Sequence, residues 1–444
     1  MRGIQSPRRS VVAAAFLSVF LTMGLPLAQT TGASGSTQSA GFVYRAFKTL
    51  LKRAPTGSEL ANGDNLLSSG ATRTYVAQIT VGGSAFQTLL VDGWFKLILK
   101  RSPTKSEASE DGALLRKGVT DETIQSKLLG TSEFFHKHAG SSNATFVDRL
   151  YQILLHERPD KASANFLLRE LKKGTKRSQV ADTVLMSVSS QTRLVTGLYE
   201  SYLKRPPAKS DVNAALNELK SGITDEGLRA SLIGSDEFEA GIMAGFVGKA
   251  YQDLLSRNPG TQGSSEFVNA LMSGLTPANV AAIIDGSAEY QADLVTGWFK
   301  TYLGRTPTNQ EASSYETALQ QGTPDVQIEA DILGSPEYYA KEGSTAQAFI
   351  AGVYSQLLNR TPSDQEISQW ENFLSGNTHQ EFVLAVAGST EGLNDLVNGW
   401  YQRFLHRTPS GTVRAQWVNA MGQGTTYEQV IAAIIGSEEY VIAA

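Results

Sequence analysis

From about residue 41 the apolar positions fall into short stripes that recur along the whole chain. The clearest stripe is Phe146, Val147, Leu150, Tyr151, Leu154 and Leu155, spaced i, i+1, i+4, i+5, i+8 and i+9. That spacing is one face of a helix, here called helix A, which stops before Pro159. Eight prolines share this context, Pro55, Pro103, Pro159, Pro207, Pro259, Pro307, Pro362 and Pro409. Fifteen residues beyond each comes a glycine, Gly70, Gly118, Gly174, Gly222, Gly274, Gly322 and Gly424, with Gly376 one residue early. Between proline and glycine the chain predicts helix B, opened by capping boxes at Thr56 with Glu59, Thr104 with Glu107, Thr308 with Glu311 and Ser363 with Glu366. The glycine suits a left-handed C-terminal cap. Two residues later Thr72, Thr120, Thr224, Thr276, Thr378 and Thr426 are N-caps for a helix C. Helix C closes on Gly130, Gly234, Gly286, Gly334, Gly388 or Gly436.

The expected fold is therefore all-α, a tandem array of eight three-helix units of about 50 residues. Distances between successive prolines run 48, 56, 48, 52, 48, 55 and 47, so units alternate and the natural module is a pair. The expected organisation is four stacked modules, residues 41–143, 144–243, 244–345 and 346–444. Ahead of them lie a signal peptide over 1–33 and a flexible tether over 34–40.

The N-terminus departs from this pattern. Arg2, Arg8 and Arg9 precede an apolar run from Val11 to Leu21 and then small residues around Pro26, Ala28 and Ala33, which reads as a secretory signal. Arg8 and Arg9 also fit a twin-arginine signal, although paired arginines are common in ordinary ones. No later stretch is long and apolar enough to span a bilayer. The protein is thus expected to be exported, to the surface, the medium or the periplasm. The chain holds no cysteine, which excludes disulfides, thiolate metal sites and a cysteine nucleophile. With 39 basic against 43 acidic residues, nothing points to nucleic acid.

The units resemble the bacterial domain of unknown function 4214 family, itself similar to phycobilisome linker domains. The carrying residues are Gly304, Arg305 and Pro307 with Gly334, Ser335, Glu337 and Tyr338, and Arg257 and Pro259 with Gly286, Ser287, Glu289 and Tyr290. Trp370 and Trp417 stand where the family's helix B tryptophan falls. The third unit departs most, with Glu157 at the arginine position, Met186 at the glycine and Ser189 at the glutamate. The resemblance implies a surface location and a binding or scaffolding role, with no enzymatic activity to inherit.

An arginine two before the proline recurs as Arg53, Arg101, Arg205, Arg257, Arg305, Arg360 and Arg407. A glutamate three after the helix C glycine recurs as Glu133, Glu237, Glu289, Glu337, Glu391 and Glu439. These are read first as structural ion pairs, since a planar guanidinium grips a carboxylate bidentately, and second as a ligand-binding row. Trp94, Trp298 and Trp400 in the even helices A are read first as core and second as a sugar-stacking platform. Of the histidines, His136, His138, His156, His379 and His406, the first two could meet a metal at a turn, but two residues apart on a helix they diverge. No catalytic motif and no cofactor signature is present. The expected function is a non-catalytic scaffold at the cell surface or in the extracellular matrix, binding other proteins or itself multivalently. The alternatives are a polysaccharide-binding protein and a hydrolase sited in the degenerate third unit.

Overall fold

The computed structural model describes residues 36–444, and the signal-peptide expectation lies outside them. Among the described residues every regular element is helical. The caps fall where the sequence placed them. All four predicted capping boxes form, and the six helix C threonines accept from the backbone three residues on. Seven of the eight helix B glycines are left-handed. Gly376 is not, and the Asn377 side chain bonds the Phe373 carbonyl instead.

The expected tether is corrected at its C-terminal end, because the first described helix runs Ser36–Leu51 and includes residues 36–40. Ala40 is buried, and Gly41 sits against Val441 of the chain's last helix, Glu438–Ala443. A tertiary contact extends a helix that the polar, small-residue composition disfavours.

The units pair through their C helices, but the pairs are not the consecutive ones that the proline spacing suggested. Helix C of unit 2 (Asp121–Leu129) packs on that of unit 3 (Arg177–Leu185), and unit 6 (Asp325–Leu333) on unit 7 (His379–Ala387). Unit 1 (Arg73–Gly82) pairs instead with unit 4 (Asp225–Ile233), and unit 5 (Pro277–Asp285) with unit 8 (Tyr427–Ile435). Close approach explains the helix-end glycines. A Cβ on Gly130 would stand 2.7 Å from the Ser178 nitrogen, and one on Gly334 2.7 Å from that of Gln380. Gly234 and Gly436 meet Thr74 and Ala278 in the same way. All four close even units. At the odd-unit positions no partner backbone intrudes on Gly286 or Gly388, and Met186 holds the same local conformation with a full side chain.

Between units an aromatic anchor follows helix C. Phe134 packs edge-on against Phe146 of the next helix A, ring centroids 6.0 Å apart, and Tyr338 against Phe349 at 6.2 Å. In each case the chain folds back through a left-handed pair, Gly140–Ser141 or Gly343–Ser344. Ahead of unit 5 that turn is missing. Phe238 and Phe246 are eight residues apart rather than twelve or eleven, and one unbroken helix, Asp236–Leu255, carries both. Phe238 therefore reaches Phe42 of unit 1, 6.4 Å away, while Tyr440 near the chain end reaches Phe246, 6.1 Å away. The chain has exchanged anchors with itself, and one core joins units 1, 4, 5 and 8. Units 2 with 3 and units 6 with 7 form separate flanking cores.

Two outcomes follow for stability. Gly334→Ala should cost about 1–3 kcal/mol by overpacking, whereas Gly388→Ala should stay within about 0.5 kcal/mol; urea unfolding of the two variants compares them. Tyr440 is fully buried and its hydroxyl donates to Asp253 at 2.7 Å. Tyr440→Ala should therefore cost about 3 kcal/mol or more, a large loss for a residue so close to the chain end. A thermal midpoint unchanged in Tyr440→Ala would show that the exchange does not hold the centre together.

Candidate functional site

In seven units the recurring arginine ends helix A just after a residue held in the left-handed region, Lys52, Lys100, Lys204, Ser256, Gly304, Asn359 or His406, and in the third unit Glu157 follows the left-handed His156. That reversal turns the guanidinium back toward the helix. Arg305 is representative. Its Nε and Nη2 donate to Glu337 at 2.6 Å each, and Nη2 and Nη1 donate to Glu311 at 2.7 and 2.9 Å. Nη1 also donates to the Thr306 carbonyl at 3.1 Å. The guanidinium carbon lies 5.0 Å from the centre of the Phe299 ring. All six arginine–glutamate pairs are made, Arg101–Glu133, Arg205–Glu237, Arg257–Glu289, Arg305–Glu337, Arg360–Glu391 and Arg407–Glu439. Arg53, which has Ala85 at the glutamate position, pairs with Glu59 alone.

Two members of this clamp were missed by the sequence reading. One is the helix B capping residue six beyond the arginine, Glu59, Glu107, Asp211, Glu311 or Glu366. The other is the ring six before it, Phe47, Phe95, Tyr199, Tyr251, Phe299, Tyr354 or Tyr401. Both offsets are constant, so a period count around the arginine would have found them. The arginine hydrogen bonds hold Glu59, Glu107, Glu311 and Glu366 down to about 2. The tryptophans face inward. Trp94 is buried, Trp298 packs on the core of units 6 and 7, and Trp400 meets Tyr427 edge-on at 5.4 Å. They present no row of exposed rings. Trp370 and Trp417 donate to Tyr354 and Tyr401, the rings beneath two of the arginines.

The third unit has no clamp. Tyr151 keeps the place of the ring, but Glu157, Ser163 and Ser189 replace the arginine and both of its carboxylates. A cavity of 820 Å³ opens here, between the end of helix A of unit 3 (Asn143–Leu154) and helix A of unit 4 (Val188–Tyr202). Helix A of unit 4 packs into a small core of its own. Its counterpart in unit 8, Thr390–Leu405, joins the central core through Val397, Tyr401 and Phe404. Leu97 and Val188 line the cleft and are 43% and 59% exposed. Arg193 crosses it to donate to His156 Nδ1 at 2.8 Å. His156 and Glu157 both line it, so the degenerate unit does carry the cleft.

Deeper in the cleft stand Glu122, Asp225 and Arg229. Asp225 is 7% exposed, and its Oδ1 has no hydrogen-bond partner. Burial pushes Asp225 up to about 7, helped by the neighbouring Glu122 carboxylate. Asp121 behind it is pushed to about 9 by burial and by a shared hydrogen bond with Glu226. Two carboxyls of unequal acidity are the raw material of acid–base chemistry. A parallel cluster nevertheless stands between units 6 and 8, where burial beside Glu428 pushes Asp325 to about 9. Carboxyl pairing between even-unit C helices therefore belongs to the scaffold.

These features define the protein as an all-helical tandem-repeat protein with one unit modified around a cleft. Residues 125–194, 229–294 and 329–396 each match the domain of unknown function 4214, and the chain carries tandem repeats of that family. Each match runs from an even helix C through the next odd unit, the same frame that the C-helix pairs of units 2 with 3 and 6 with 7 build. No curated protein matches the chain in sequence.

The buried carboxyls give the fold a pH dependence of known sign. Groups raised in the folded state contribute stability that is complete below the unfolded value, about 4, and is lost as pH rises through their folded values. For Asp225, Asp121 and Asp325 that window runs from about 4 to about 7 and 9. The clamp glutamates act oppositely, losing stability as pH falls from 4.5 to about 2. Unfolding free energy should peak near about pH 5 and decline toward pH 9, and Asp121→Asn with Asp325→Asn should flatten the decline. Urea titrations across that range test it, and a rise in stability from pH 5 to 9 would contradict it.

Proposed function

We propose that the protein is an exported, non-catalytic scaffold that binds other proteins at the cell surface or in the extracellular matrix. One observation carries the reading. Units 1–4 and 5–8 are pseudo-equivalent halves, yet among the described residues the eight large apolar residues with about half of their surface exposed all lie between Tyr75 and Ile223. Six of the eight, Tyr75, Leu89, Leu97, Phe166, Val188 and Ile223, correspond by position to the polar Asn279, Asp293, Thr301, Gln369, Thr390 and Thr425, while Ile79 corresponds to Ile283 and Met186 to Gly388. The second half demonstrates that the architecture does not need apolar residues there. Exposed apolar groups kept on one copy and polar on the other fit a docking face. The eight weak equivalent sites of a simple array give way to one specialised half.

Export rests on the basic and apolar pattern of the first thirty-three residues. No described helix is long and apolar enough to cross a membrane. The test is co-sedimentation of the purified protein with the producing cell's envelope and matrix, using fractions treated with protease or stripped of polysaccharide. Capture should vanish after protease treatment. It should also fall by about tenfold or more when Leu97→Thr, Val188→Thr and Tyr75→Asn transplant the second half's residues, with no loss of thermal stability. Capture lost only after polysaccharide removal, or unchanged in the transplant, would overturn the reading.

A further inference from the structure

We infer that the cleft of the third unit receives an arginine or lysine side chain carried on an apolar segment of a partner protein. The inference rests on the docking reading above and names the chemistry of its partner. The first support is the change at the unit itself. Elsewhere this junction is closed by an arginine paired with one or two carboxylates; here Glu157 stands in the arginine's place and lines the cleft. The polarity of the junction is reversed, so what completes it must bring the positive charge.

The second support is the balance of charge in the cleft. Glu122, Glu157, Glu200 and Asp225 line it against Arg193 and Arg229. Arg193 is engaged on His156, and Arg229 donates to the Tyr202 hydroxyl at 3.1 Å and faces Asp225 and Asp121 with its Nε unpartnered, so two cations stand against four acidic groups. The third support is Asp225, more than nine-tenths buried, with one carboxylate oxygen unpartnered at the inner end. A buried acceptor left open costs free energy that an entering N–H donor would recover. Leu97 and Val188 supply the apolar contact that the flanking residues of such a segment would cover. At 820 Å³ the space suits one long side chain with its neighbours and is within the range of specific pockets.

The probe is a fluorescein-labelled peptide with the sequence of residues 46–55, which carries Lys48, Lys52 and Arg53 among Phe47, Leu50 and Leu51. Its control has glutamate at the three basic positions. Fluorescence anisotropy should show saturable binding of the basic peptide and none of the acidic one. Asp225→Asn should weaken the basic peptide by about tenfold or more. The pair Glu157→Arg with Ser189→Glu, which installs the clamp of the other units, should abolish binding and raise the thermal midpoint. Equal binding of both peptides, or binding indifferent to Asp225→Asn and to the installed clamp, overturns the inference. The envelope assay separates the two claims. Capture that survives the installed clamp removes the cleft as the seat of docking and leaves the docking face standing. Peptide binding in a protein that captures nothing leaves the cleft standing and removes the scaffold.

Discussion

Close contact between helix C backbones is the constraint on which the rest of this structure depends. A unit of three short helices has too little apolar surface to form a core alone, and it gains the missing surface by laying its helix C across another. That approach is close only where the even-unit helix ends without a side chain, at Gly130, Gly234, Gly334 and Gly436. The odd-unit positions face no such backbone, which is why the chain carries Met186 at one of them. The pairing also brings the even-unit helix starts together and buries Asp121, Asp225 and Asp325, so the acidic clusters follow from the same geometry.

Which units pair is decided at the hinges. With eleven or twelve residues between anchor and helix A there is room for a left-handed turn, and the anchor folds back on its own unit. With eight, the helix propagates straight through and the anchor must find another partner. Unit 1 takes the anchor that follows unit 4 and unit 5 the anchor that follows unit 8, an exchange like that of swapped domains. The first described helix, Ser36–Leu51, and Glu438–Ala443 are thereby brought into contact, and the array of described units becomes a closed body rather than an open solenoid.

The arginine clamps act on a smaller scale. Except at Arg53, each ties the end of a helix A to the first residues after the next helix C, and in four units to a helix B cap as well, beside one aromatic ring. Exposed pairs of this kind contribute modestly to stability, so one clamp can be given up without losing the fold. Loss of the clamp at unit 3 leaves the central pairing intact and opens a cleft with acidic and apolar walls. Local structural redundancy is what makes a specialised unit available in a repeated scaffold.

Much of this was legible in the residues alone. Helix positions, capping boxes, the arginine–glutamate partners and the departure of unit 3 all follow from local spacing, because caps, periodicity and bidentate pairs depend on residue types at short or constant offsets. Even the exchange left a mark, the interval of 52 between Pro207 and Pro259 where the equivalent intervals are 56 and 55. Its consequence could not be read there. Whether a shortened hinge bends or straightens, which distant helix C receives Thr74 or Ala278, and whether Trp94 or Leu97 faces solvent depend on contacts between residues far apart in the chain. Those contacts are chosen by the fit of whole surfaces, and no single offset in the sequence encodes that fit.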